Sequence, residues 1–360
     1  MNKVHPNSNP PRLVAWEVTR SCNLNCVHCR ASSEKGPYEG ELDRAKAMEI
    51  LDQIALAGRP IVILSGGEPL LRPDIFDLAR HGTGLGLRMV MATNGTLLTP
   101  GIAREIKASG IKRVSISLDG ADAGVHDRFR NVPGAFDSAL RGIGILKDAD
   151  IEFQINTTIT RHNVGRIDKI LELAVDLGAA AHHIFLLVPT GRARDMVDQE
   201  IDSLEYERVL HWFYNMRDKV PLHLKATCAP HYYRILRQEA RRRGEVIDIG
   251  TYGLDAVTRG CLAGTSYCFI SHDGIVQPCG YLELACGDLK SSSFDSIWRY
   301  SEIFNRLREL SLYKGKCGRC EYQDFCGGCR ARAYEATGDY LAEEPLCVYQ
   351  PASVPVNRTP

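Results

Sequence analysis

Between Arg12 and about Asp218 the chain alternates short apolar runs with longer segments of helical period. The runs are Leu13–Val18, Ile61–Ser65, Met89–Ala92, Val114–Leu118, Phe153–Thr158 and His183–Val188. Most are rich in Val, Ile and Leu, the pattern of parallel strands buried on both faces. Between them, Ile167, Ile170, Leu171 and Ala174 recur at the spacing of one helix face. Thr99 before Pro100 reads as a helix N-cap with proline in the first turn. Gly110 and Gly178 fall where helices should stop. Six such strand–helix units predict an α/β fold over residues 12–218, a partial (β/α)6 TIM-like barrel too short to close with eight strands. In such barrels the chemistry lies at the C-terminal ends of the strands. Cys22, Gly66–Pro69, Asn94 and Asp119 all fall there.

The rhythm ends beyond residue 218. Residues 219–260 read as a connector containing a basic helix around Arg234–Arg243, and from Cys261 to residue 360 the chain is a small, cysteine-rich domain. Residues 1–11 are polar, hold three prolines and read as a flexible N-terminus with no signal-peptide core. No apolar run approaches the ~20 residues needed to span a bilayer. The 44 basic and 44 acidic side chains balance, so no global attraction to nucleic acid or an anionic membrane is expected. A cytoplasmic location is expected. There, 13 cysteines point to metal or redox chemistry rather than to disulfides.

Cys22, Cys26 and Cys29 form C-x3-C-x2-C directly after the first strand. Three thiolates at this spacing can hold three irons of a [4Fe–4S] cube and leave the fourth open to a ligand. Zinc is the alternative, but it wants a fourth local ligand, and His28 is poorly spaced to supply it. Further on, Cys317, Cys320, Cys326 and Cys329 form C-x2-C-x5-C-x2-C, and Cys347 follows. Upstream stand Cys261, Cys268 and Cys279, the last in a G-x4-C arrangement with Gly274. One cluster, two clusters, a cluster plus zinc, or zinc alone all fit paired C-x2-C motifs. Cys228 and Cys286 are left over and read as buried, inert thiols.

With these motifs in order, residues 12 to about 218 resemble the radical S-adenosylmethionine (SAM) superfamily. The resemblance implies that Cys22, Cys26 and Cys29 hold the SAM-cleaving cluster. Gly66, Gly67, Glu68 and Pro69 match the motif that holds the amino group of SAM. Asn94, Ser117, Asp119 and Arg130 complete the expected SAM contacts, Arg130 toward its carboxylate. The family often places an aromatic ring where this chain has His28. The C-terminal domain resembles the SPASM extension, which carries auxiliary [4Fe–4S] clusters. By that pattern Cys317, Cys320, Cys326 and Cys347 hold one cluster, and Cys261, Cys268, Cys279 and Cys329 a second. The family more often ends in C-x3-C, whereas this chain has C-x2-C.

The whole chain also resembles a subgroup, the haem b synthases that oxidatively decarboxylate iron-coproporphyrin III. The resemblance rests on residues 12–20, on Pro189–Arg192, on Lys225–Tyr233 and on Gly327–Tyr334. It implies an iron porphyrin substrate, an oxygen-sensitive enzyme of haem biosynthesis, and an electron donor of the reduced ferredoxin or flavodoxin type. Two propionates would become vinyl groups as each loses carbon dioxide. Residues 225–243 hold six basic side chains against one acidic residue, Glu239. From this region and its neighbours, Arg192, Lys225, His231, Tyr232, Tyr233 and Arg234 are the expected substrate contacts. The neighbouring reading is a didecarboxysirohaem deacetylase. A SPASM peptide maturase and a non-enzymatic iron–sulfur or zinc protein stand further off.

Overall fold

The computed structural model describes residues 9–352, so most of the expected flexible N-terminus lies outside the described residues. The strands are β1 (Leu13–Glu17), β2 (Ile61–Ser65), β3 (Arg88–Thr93), β4 (Val114–Ser117), β5 (Phe153–Ile159), β6 (Ala181–Leu186), β7 (His223–Thr227), β8 (Tyr267–Ile270), β9 (Ile275–Gln277) and β10 (Gly287–Asp288). They form one sheet in the order β10-β9-β8-β1-β2-β3-β4-β5-β6-β7. Strands β1 to β7 run parallel, with helices in the crossovers. All six expected strands are present.

Two features differ from the sequence expectation. The connector contains a seventh parallel strand, β7, paired to β6 from Ala181↔His223 to Phe185↔Thr227. The cysteine-rich domain is also not hung on by a linker alone: β8 pairs in parallel with β1, Leu13↔Tyr267 through Trp16↔Ile270.

The helix signals act as read. Thr99 accepts a hydrogen bond from the Ile102 N–H at 3.2 Å, and Pro100 opens that helix. Gly110 and Gly178 follow helices ending at Ala108 and Asp176, with φ of 81° and 76°. Glycine adopts this left-handed region without a steric penalty. Ile167, Ile170, Leu171 and Ala174 are all buried.

Successive strand residues point to opposite faces. One face carries Val14 and Trp16, Val62 and Leu64, Met89 and Met91, Val114 and Ile116, Phe153 and Ile155, Leu224 and Ala226, all in the main core under the helices. The other face is more polar. It carries Glu17, Ser65, Ser115 and Ser117, Gln154 and Asn156, His183 and Lys225. There the Gln154 amide lies 2.9 Å from Asn156 Oδ1 and 3.0 Å from His183 Nδ1, while His183 stands opposite Lys225 in register. The strands are thus apolar toward the helices and polar toward the barrel interior.

Candidate active site and metal centres

The chain leaves β1 into the loop that carries the first three cysteines. The Gly66-Gly67 turn after β2 packs directly on that loop. The Gly67 N–H donates to the Thr19 carbonyl at 2.9 Å, and the Glu68 N–H donates to the Ser21 carbonyl at 2.8 Å. A Cβ on Gly66 would lie 2.3 Å from the Thr19 oxygen, and one on Gly67 2.4 Å from the Ser21 oxygen. Only glycine permits this approach. Gly191 clamps the loop from the other side, with φ of +56° and room for no Cβ, which would meet the Arg30 oxygen at 2.1 Å and the Cys29 oxygen at 2.4 Å.

Arg192 completes the clamp. Its Nε donates to the Cys26 carbonyl and its Nη1 to the Ser33 carbonyl, both at 2.9 Å, and its backbone N–H donates to the Cys29 carbonyl at 3.1 Å. The expected substrate arginine therefore holds the cysteine loop.

Inside the loop, backbone N–H groups point at sulfur: Leu24 at Cys22 Sγ, 3.4 Å, and Ser33 at Cys29 Sγ, 3.3 Å. Such bonds favour thiolates. Burial opposes them, pushing the Cys22 thiol up to about 12 and raising Cys26 as well. Buried donors of this kind need a cation to become thiolates, and iron supplies one. Cys22 is close enough to Cys26 and Cys29 for each to oppose its ionisation.

Glu68 is fully buried at the end of β2. It accepts from the Thr93 hydroxyl at 2.7 Å, from the Asn94 N–H at 2.8 Å and from the Leu70 N–H at 3.1 Å. Burial nevertheless lifts it to about 6. A carboxylate in this state gains by meeting an ammonium group. Asn94 donates to Asn23 of the cysteine loop at 2.9 Å. Asp119, after β4, pairs with Arg130 and accepts from the Thr158 N–H at 2.7 Å. Burial alone would lower the Arg130 guanidinium, but Asp119 and Cys26 more than reverse this and keep it charged. Arg130 also donates to Cys26 Sγ at 3.6 Å. Ser117 faces the barrel interior two residues before Asp119.

His28 stacks on Phe129 with ring centroids 4.1 Å apart, and Phe129 stacks on His162 at 5.7 Å. Burial lowers His28 far below its usual range, so it is a neutral ring beside Asp119. Phe129 and His162 were not read as site residues. No local spacing marks them, because the stack joins three separate segments.

In the C-terminal domain, Cys317, Cys320, Cys326 and Cys347 line one cavity, together with His231 and Arg234. Cys317 Sγ receives the Glu344 N–H and Arg330 Nη2, each at 3.4 Å. Gly327 and Gly328 turn the chain between the last two cysteines with φ of +73° and +62°. A second group gathers Cys261, Cys279 and Cys329 around Cys228, with Cys228 and Cys279 packed against Cys329.

Cys268 is not in this second group. It stands in register with Val14 and shares the outward face, fully buried in the main core, with the Cys286 thiol and the Arg308 guanidinium nearby. The period of two in β8 turns its thiol away. All 13 cysteines are free of disulfides. Among the described residues, no three His, Cys, Asp or Glu side chains are drawn tightly enough around one point to hold a single metal ion. Groups of three and four thiols at these spacings are the donor sets that the irons of [4Fe–4S] cubes take.

Short links join the three cysteine groups. Arg30, next to Cys29, donates to the carbonyl of Gly280, next to Cys279, at 3.4 Å. Cys329 donates its N–H to Glu344 at 2.8 Å, and Glu344 donates its own to Cys317. Arg332 is buried among the Leu187 carbonyl at 2.8 Å, Glu200 at 3.1 Å and Glu344 at 3.3 Å.

The remaining expected substrate residues lie elsewhere. Tyr232 and Tyr233 are buried in the core, and the Tyr233 hydroxyl donates to Asp255 at 3.1 Å. Arg234 pairs with Glu207 and, like His231, faces the cysteine-lined cavity. Only Lys225 faces the barrel interior. Its ammonium has no hydrogen bond or ion pair among the described residues, and burial lowers its affinity for a proton. At the mouth of the barrel a pocket is bounded by Arg20, Arg30, Glu17, Phe269 and His272. Burial opposes the ionisation of Glu17, but Arg30 and His272 hold its carboxyl at about 2.

Residues 16–174 match the Radical SAM superfamily, and residues 261–330 match an iron–sulfur cluster-binding domain, SPASM. The "AdoMet-dependent heme synthase" of Methanosarcina barkeri is 54% identical, over 96% of this chain and 98% of that protein. The "Fe-coproporphyrin III synthase" of the same organism is 30% identical, over 93% of this chain and 87% of that protein. The fold is similar to that of Streptococcus suis SuiB bound to S-adenosylmethionine, with a TM-score of 0.72 at 16% identity, over 97% of this chain and 78% of that one.

Proposed function

We infer the reaction from membership: the chain belongs to the radical SAM superfamily and carries its SPASM extension, so its cofactors are [4Fe–4S] clusters and S-adenosylmethionine. It is a radical SAM enzyme of haem synthesis, and its reaction is the oxidative decarboxylation of two propionates of iron-coproporphyrin III to vinyl groups, giving haem b. The observation that carries this reading is the contrast within one organism, where the haem synthase is 54% identical and the Fe-coproporphyrin III synthase 30%. The same contrast disfavours the deacetylase reading.

Bound together, cluster and SAM would supply a 5′-deoxyadenosyl radical; loss of a hydrogen atom to it, departure of carbon dioxide and passage of one electron to an acceptor, for which an auxiliary cluster is the candidate, would turn each propionate into a vinyl group. The chain's own residues do the placing. Glu68 receives the SAM ammonium group, for which its raised pKa leaves it poorly compensated when alone. Arg130 would offer its guanidinium to the SAM carboxylate, a charge-assisted pair of the kind guanidinium favours. Gly191 and Arg192 fix the cysteine loop. Lys225 inside the barrel and Arg20 at its mouth receive substrate carboxylates. Both support this role: Lys225 makes no hydrogen bond or ion pair among the described residues, and Arg20 Nε, 3.6 Å from Glu17, makes no hydrogen bond. No general base is required, because carbon dioxide departs from a carboxylate.

The test is product analysis after anaerobic incubation with SAM, a reductant and either iron-coproporphyrin III or didecarboxysirohaem. Haem b with 5′-deoxyadenosine is expected. Unchanged iron-coproporphyrin III beside consumed didecarboxysirohaem would replace this reading with the deacetylase.

A further inference from the structure

We propose that Cys228 is the fourth thiolate of the second auxiliary cluster, completing the set Cys261, Cys279 and Cys329. The inference rests on the iron–sulfur reading of the C-terminal domain, not on the porphyrin reaction.

Cys228 follows β7 and adopts φ of +56°, a conformation that residues with a side chain rarely take. Such strain persists only where the surroundings enforce it. Here three donors converge on the Cys228 carbonyl: the Tyr206 hydroxyl at 3.1 Å, and Nη1 and Nη2 of Arg332, each at 3.4 Å. The Arg332 backbone N–H in turn donates to Cys329 Sγ at 3.5 Å. One residue therefore holds the Cys228 backbone and touches the thiol of Cys329. The Cys228 side chain packs with Cys279 and Cys329 among Val188, Leu282 and Ala331. The thiols of Cys329, Cys279 and Cys261 are all near enough to Cys228 to bear on it electrostatically. Four thiolates around a [4Fe–4S] core carry net negative charge, and the Arg332 guanidinium held at the Cys228 carbonyl is placed to offset it.

Cys268 cannot take this place. Reaching the group from the outward face of β8 would require breaking the β8–β1 pairing or slipping it by one residue, which would turn every side chain of β8 over. With Cys228 as ligand, the end of the seventh barrel strand is tied to the C-terminal domain at the same end of the barrel as Cys22, Glu68 and Asp119.

The test uses the full chain carrying Cys22→Ala, Cys26→Ala and Cys29→Ala, so that no SAM-cluster iron is open. Into it go Cys228→Ala, Cys228→Ser or Cys268→Ala, followed by anaerobic reconstitution. Iron and sulfide are counted, and the reduced protein is examined by electron paramagnetic resonance with and without imidazole. Cys268→Ala should keep the parent's iron and spectrum. Cys228→Ala should lose about four irons per chain, or keep a cluster whose signal now shifts with imidazole because one iron is open. If Cys228→Ala yields no folded protein, Cys228→Ser decides, since an oxygen ligand alters the signal of one cluster and leaves the other unchanged. Full iron with an unshifted, imidazole-insensitive signal in the Cys228 variants would overturn the proposal, as would loss of the cluster in Cys268→Ala. SAM cleavage plays no part in this readout, so failure of the porphyrin reading would be seen separately.

Discussion

Gly191→Ala tests how tightly the first cysteine loop is held. A Cβ there would lie 2.1 Å from the Arg30 oxygen and 2.4 Å from the Cys29 oxygen, against 3.4 Å for an ordinary contact. The loop must retreat by about 1.3 Å, and both obstacles are backbone, which cannot rotate away. Overpacking of this kind costs ~1–3 kcal/mol. The left-handed backbone adds roughly 1–2 kcal/mol for any residue with a Cβ. Together they displace Cys29, whose carbonyl accepts the Arg192 N–H. After anaerobic reconstitution the variant should hold about four fewer irons per chain than the parent, with SAM cleavage lowered at least tenfold. Gly165→Ala is the control: its Cβ meets nothing within 4 Å and its φ is not positive, so iron and activity should be unchanged. A Gly191→Ala protein with full iron and normal 5′-deoxyadenosine formation would refute the clamp.

Replacing Cys22, Cys26 or Cys29 by Ala should abolish SAM cleavage while the iron of the C-terminal domain persists, as counted by iron and sulfide analysis. Cys320→Ala or Cys326→Ala, in protein shown to be folded and able to bind porphyrin, should leave SAM cleavage but suppress the vinyl product; haem b formed at the normal rate would make that cysteine-lined cavity structural only. Arg332→Met breaks a buried ion pair and should cost about 3–5 kcal/mol, seen as a lower urea midpoint under anaerobic conditions. SAM affinity should weaken as pH falls through about 6, because the proton that Glu68 takes up there competes with the SAM ammonium. Glu68→Gln should bind SAM weakly at every pH, and a flat profile in the parent would sink this account.

Much of this was legible in the sequence because it is local. Strand ends, glycine turns and the cysteine triad sit within a few residues of one another. The seventh strand falls in the segment expected to be a connector, although its signal is local: Leu222, Leu224 and Ala226 alternate with His223, Lys225 and Thr227, the period of a half-buried strand. The same period excludes Cys268 once β8 is paired with β1. Tyr232 belongs to an apolar stripe with Ile235, Leu236 and Ala240, all buried, so its place in the core follows from helix spacing. What spacing does not show is which distant segments meet. Cys228 joins cysteines from Cys261 to Cys329, and His28 stacks on Phe129 and His162, only through tertiary packing. Arg192, an expected substrate contact from the Pro189–Arg192 resemblance, gives its side-chain donors to loop carbonyls instead.

The pairing of β8 with β1 bears on how the chain is made. Strand β1 leaves the ribosome well before its second partner, which begins at Tyr267. At ~5–20 residues per second, about 250 residues of synthesis leave that side of β1 without its partner for roughly 10–50 s. An unpaired strand side is a template for pairing with other chains. The nascent protein therefore depends on being shielded until β8 arrives, and slow translation or premature termination before that point favours aggregation over an iron-loaded enzyme.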